Sequence, residues 1–121
     1  MPLRIRNSYE HFVSFRGDVR DNDDGRSVKS LTYEVHPGAA AELATITNEL
    51  AATGKINGIA IYHRSGELNI GDCALYVAVT AAHRKEAFEL CSEAVNLVKE
   101  RIPIWKHQFF TDGTDEWVNS A

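Results

Sequence analysis

The sequence predicts an α+β fold with a largely antiparallel sheet, and three observations carry that prediction. Several short stretches alternate apolar and polar residues with the period of a half-buried strand. Two longer stretches repeat their apolar residues at helical spacing. The segments between them are short and rich in turn-forming residues, as antiparallel neighbours require. The expected order is two strands, a helix, three strands, a second helix and a closing strand that turns back on itself.

The first strand is "HFVSFRGDVR", residues 11 to 20, with Val13, Phe15 and Val19 on one face and Ser14, Arg16, Asp18 and Arg20 on the other. It runs into the acidic turn "DNDDGR". A second strand, "SVKSLTYEVH", places Leu31, Tyr33 and Val35 on one face and is expected to form a hairpin with the first. Pro37 sits where a helix opens, and the helix runs to Gly54 with Leu43, Ile46, Thr47 and Leu50 inward. "INGIAIYHRSG" and "ELNIG" are strands parted by a Ser-Gly turn, and "CALYVAVTAA" is the strongest strand, with Leu75, Val77 and Val79 on one side. The second helix spans about Arg84 to Arg101, with an expected stripe of Ala87, Phe88, Cys91, Ala94, Val95 and Val98. Pro103 stops it, because a residue before proline is pushed toward extended geometry. "IPIWKHQFF" is then a strand, and "TDGT" turns it back toward "DEWV".

With 121 residues, the chain is expected to fold as one domain, residues 1–121. Its 44% apolar and 25% charged residues are those of an ordinary globular protein. The net charge of -4 argues against general nucleic-acid binding. "MPLRIRNSYE" lacks the apolar centre of a secretory signal, so a cytoplasmic protein is expected. Cys73 and Cys91 are too far apart for a CxxC motif and read as small buried hydrophobes. Histidines 11, 36, 63, 83 and 107 show no HExxH-type spacing, and no metal site or cofactor is expected.

Chemistry could sit among the cations. Lys99 and Arg101 fall in a last helical turn, where positive charge favourably opposes the helix dipole. His83 and Arg84 start the same helix, where positive charge has the wrong sign, a hint that an anion docks there. Lys106 lies in the strand beyond Pro103, and Arg20 ends the first strand. Trp105 and Phe109 share one face of that later strand, with Lys106 and Phe110 on the other, and Trp105 reads as a core residue. Solvated charges and a cationic pocket for a phosphorylated small molecule both fit this spacing.

Five segments add a resemblance. "FRGDVRD", "LTYEVHPGAA", "HRSGELNIGD", "VAVTAAHRKEAF" and "VKERIPIWK", in this order and spacing, resemble the large catalytic subunit of molybdopterin synthase, the MoaE family. The likeness runs from about Phe12 to Trp117. It implies a fold of the α/β-hammerhead type and a homodimer of this chain. It further implies a small ubiquitin-like sulfur carrier at each end, completing a heterotetramer. The carrier's C-terminal Gly-Gly thiocarboxylate would enter a pocket and give up sulfur twice to cyclic pyranopterin monophosphate, building the dithiolene of molybdopterin. The sulfur belongs to the carrier, so no catalytic cysteine is needed. The alternative is a paralogue that binds the carrier or the pterin without turnover.

Carried over by position, the resemblance implies catalytic roles for Lys99 and Lys106, and substrate binding by both of these and by Asp18, Val19, Arg20, His83, Arg84, His107 and Gln108. Lysines among other cations have lowered pKa values and can transfer protons near neutrality. Arginines at 20 and 84 suit phosphate, which their forked donors match. Two departures stand out. Many members of the family carry an acid where Gln108 stands, and the segment before Phe12 is shorter than usual.

Overall fold

The computed structural model describes residues 11–118, so the expectation about the length of the segment before Phe12 falls almost wholly outside the described residues. Along the chain come β1 (His11–Asp18), β2 (Asn22–Asp23), β3 (Arg26–Val35), α1 (Ala39–Ala51), β4 (Gly58–His63), β5 (Gly66–Asn69), β6 (Cys73–Ala81), α2 (Arg84–Arg101), β7 (Ile104–Phe110) and β8 (Asp115–Val118). The strands form two antiparallel sheets. One has the order β1-β6-β4. The other runs β2-β3-β7-β8, with β5 also paired to β3. Long β3 thus gives one edge to β7 and divides the other between β2 and β5.

The expected hairpin between the first two long strands does not form. β1 pairs with β6, and the turn after it is used for a shorter hairpin of β2 with β3. Its two-residue loop, Asp24-Gly25, has φ of +53° and +83°. Positive φ at both positions is the primed turn that matches strand twist, and Asp-Gly is a favoured pair for it.

Both sheets and both helices share one core. Ile46 of α1, Leu68 of β5, Val77 and Val79 of β6, and Val98 of α2 are all fully buried. Burial of each such side chain stabilises the fold by about 1.5–3 kcal/mol before entropy is counted. α2 lies on β1 and β6, and α1 packs against α2 and β4. At its far end Arg101 ties the two helices together, donating from Nε to Glu42 at 2.8 Å and also bonding Glu49.

Three apolar residues expected inside are outside. Phe88 is 60% exposed, because the buried stripe of α2 runs through Ala87, Leu90, Cys91, Ala94 and Val98, and Phe88 stands about 100° round the helix from Ala87. Trp105 is 47% exposed, because alternation along β7 turns Ile104, Gln108 and Phe110 inward instead. Val35, at the end of β3, is also exposed, although Leu31 and Tyr33 are buried as expected. Cys91 is buried and Cys73 partly so, as small hydrophobes. α1 starts two residues after Pro37, with Gly38 as its cap.

Candidate active site

A cleft of about 140 Å³ opens between the two sheets, and its wall is built from both. Two cross-strand pairs line it, Tyr33 opposite Lys106 and Leu31 opposite Gln108. Lys106 lies there because it has the same parity along β7 as the buried Ile104 and Gln108. The position is partly buried, and that burial lowers the Lys106 pKa below the ordinary lysine value. Lys99 and Arg20 push it the same way, while Asp23 and Glu116 oppose them.

Lys99 comes from the last turn of α2. Ile102 takes an extended conformation, φ -78° and ψ 123°, before Pro103, and the chain turns directly into β7. The helix end and the next strand therefore bring Lys99 and Lys106 to one cleft. Arg101, the other cation of that turn, is engaged by Glu42 and Glu49 of α1 and serves the scaffold.

Arg20, Val19 and Asp18 enter from the end of β1. The β1–β6 register shifts between Gly17 and Asp18, which redirects the chain. Val19 is then held by two backbone bonds, its N–H to Asp72 O and its carbonyl accepting from Gly71, each 2.9 Å. Asp18 accepts from Arg16 Nε at 2.6 Å.

Six of the expected site residues therefore line one cleft: Asp18, Val19, Arg20, Lys99, Lys106 and Gln108. The other three do not. His107 has the opposite parity on β7, stacks on Trp117 with ring centroids 4.1 Å apart, and is 2.6 Å from Asp115 Oδ2. Strand alternation turns it to the face of β7 opposite Lys106. His83 and Arg84 stand at the other end of α2, fifteen residues from Lys99, about 22 Å along a helix axis.

The cleft also holds residues the motif reading passed over. His63, at the end of β4, lines it with its ring edge-on to Tyr33, centroids 4.9 Å apart. Its Nδ1 lies 2.7 Å from the Arg64 carbonyl. A carbonyl only accepts, so Nδ1 carries the proton and Nε2 is the acceptor of the neutral ring. Burial lowers the His63 pKa, and Lys99 adds to that effect against the backbone bond. Asp23 of β2 also lines the cleft and accepts from Gln108 Nε2 at 2.7 Å. His63 opens the quoted segment "HRSGELNIGD", and the Asp-Gly turn beside Asp23 marks a strand end.

Fixed cations from β7, α2 and the β1 end suit a doubly anionic encounter, because they need no reorganisation when charge arrives. Comparison with known proteins identifies the family. The family model described as MoaE protein matches residues 6–101. The molybdopterin synthase catalytic subunit of Pyrococcus abyssi is 42% identical over 107 residues, 88% of this chain and 72% of that one. The crystal structure of molybdopterin synthase from Staphylococcus aureus superposes with a TM-score of 0.84 at 35% identity, covering 94% of this chain and 83% of that one. A subunit in the Helicobacter pylori complex of subunits 1 and 2 of molybdopterin-converting factor shares the fold, with a TM-score of 0.72 at 19% identity over 93% of this chain and 73% of that one. The α+β architecture expected from the sequence is thus the one its structural neighbours have, and the chain belongs to the MoaE family.

Proposed function

We propose that the chain is the catalytic subunit of a molybdopterin synthase and that the cleft described above is where sulfur is transferred. The observation that carries this reading is the convergence of Arg20, Lys99 and Lys106, from three separate elements, on one cleft in a MoaE-family chain. The sulfur donor is the C-terminal Gly-Gly thiocarboxylate of a small ubiquitin-like carrier, and the acceptor is cyclic pyranopterin monophosphate. Both are anions, and they repel unless cations stand between them. Arg20 offers forked donors to the phosphate. Lys106 stabilises negative charge as the cyclic phosphate opens. Lys99 activates the carrier tail and transfers protons.

No thiol of this chain is required. Cys91 is buried, and burial raises its pKa away from the reactive thiolate. Free thiols at 73 and 91 suit a reducing compartment, in keeping with a cytoplasmic enzyme.

His83 and Arg84 have a place in this reading through a second copy of the chain. Their separation from Lys99 along α2 supports a homodimer in which the pair of one protomer binds phosphate in the other's cleft. Mixing Lys99→Ala with Arg84→Ala protein tests this. Dimers that exchange subunits would regain one intact cleft and recover part of the activity, whereas a pair acting within its own chain would give the same partial recovery in no mixture.

The function is tested by Lys99→Ala. It should abolish dithiolene formation from thiocarboxylated carrier and cyclic pyranopterin monophosphate while leaving folding and carrier binding intact. Near-normal turnover by that variant would overturn the assignment.

A further inference from the structure

We propose that Asp23 and Gln108 form a positioning pair for Lys106, in which the buried Gln108 amide holds the Asp23 carboxylate at the cleft wall facing the Lys106 ammonium. The proposal rests on the reading of Lys106 as a working residue of the cleft.

Gln108 is 3% exposed and is the polar side chain in the buried set of the described residues. An amide buried without a partner is costly, because it gives up its hydrogen bonds to water. Gln108 meets that need by donating from Nε2 to Asp23 Oδ2 at 2.7 Å. A carboxylate only accepts, so the bond fixes which end of the amide faces β2. Asp23 is itself held on the backbone side. It closes the Asp24-Gly25 hairpin opposite Arg26, and Asn22 Oδ1 accepts from Gly25 N at 3.1 Å.

Two other carboxylates of this region are matched by arginines. Asp18 bonds Arg16 at 2.6 Å, and Glu116 bonds Arg26 at 3.2 Å. Asp23 is bonded instead to a neutral amide, which leaves its charge to act on the cations of the cleft. Lys106 is faced by Arg20 from the β1 end, Asp23 from β2, Tyr33 from β3, Lys99 from α2 and Glu116 from β8. Among these, Asp23 is the foremost influence favouring the ammonium form, against burial, Lys99 and Arg20. The acid that the family resemblance leads one to expect at 108 is thus supplied across the strands, by a residue that Gln108 recruits.

The test exchanges the two groups. The Lys106 ammonium is followed by NMR after reductive methylation with ¹³C-formaldehyde, its signal assigned by its loss in Lys106→Arg. Asp23→Asn removes the carboxylate and should shift the Lys106 titration further down. Gln108→Glu brings two carboxylates together and should shift it up. Asp23→Asn/Gln108→Glu keeps one carboxylate and one amide with donor and acceptor reversed, and should return the titration toward wild type. Dithiolene formation should fall in Asp23→Asn, by up to about a hundredfold as for a misplaced reacting group, and recover in the double variant. A Lys106 titration unmoved in Asp23→Asn and in the double variant would overturn the proposal whatever the activity. Titrations that move as described in a protein that makes no dithiolene would uphold the pair and refute the assigned reaction.

Discussion

Lys99 and Lys106 line one cleft although the first ends a helix and the second lies in the strand after it, seven residues on. Pro103 makes this possible by stopping α2 just past Lys99 and releasing the chain into β7. The electrostatic consequences of that meeting can be measured.

Lys106 has a folded-state pKa below its ordinary value of 10.5, chiefly through burial. Between the lowered value and 10.5 the unfolded chain binds the extra proton, so this residue's contribution to stability rises with pH across that window. Lys106→Met should therefore be more stable than wild type at neutral pH, and the difference should shrink as pH approaches 10.5. Denaturant titrations at a series of pH values measure it. A difference independent of pH would contradict the burial of the ammonium.

His63 should titrate below 6.5, with Nδ1 protonated in the neutral ring. Lys99 is one of the influences holding that value down. In Lys99→Met the imidazole should titrate closer to 6.5, a shift readable in its Cε1–H resonance. Below 6.5 the unfolded chain takes up the proton first, so the stability this group contributes is lost as pH falls toward the folded value. An unchanged His63 titration would place Lys99 elsewhere.

Gly25→Ala tests the hairpin that holds Asp23. Space is not the issue, because a Cβ there would meet nothing within 4 Å. Its φ of +83° is the cause, and a left-handed conformation costs an L-residue about 1–2 kcal/mol. The variant should lose stability by that amount in denaturant unfolding.

Arg101→Ala separates scaffold from site in the same helical turn. Loss of its bonds to Glu42 and Glu49 should lower the melting temperature while the folded protein keeps its turnover. The opposite pattern, intact stability with lost activity, belongs to Lys99→Ala.

Much of the fold was legible because its signals are local. Alternation marked β1, β3 and β6, helical spacing marked α2, and proline marked its end. Pairing of β1 with β6 was not legible, since it joins residues some sixty positions apart and no turn signal records it. Phe88 and Trp105 were misplaced because apolar side chains are common on protein surfaces, and only packing decides which face turns inward. Within the candidate site, both lysines, Arg20 and Gln108 line one cleft, whereas His107, next to Lys106 in sequence, lies on the other face of β7. Asp23 and His63 emerged only where β2 and β4 meet β7 and α2, a convergence no single segment contains.

The central claim is sulfur transfer at the cleft of Arg20, Lys99 and Lys106. The direct measurement is to incubate the purified chain with thiocarboxylated carrier and cyclic pyranopterin monophosphate and follow the dithiolene product by mass spectrometry. Two sulfurs gained per pterin, with conversion of the thiocarboxylate to carboxylate, is the predicted result. Pterin bound in the cleft with no sulfur gained would contradict it.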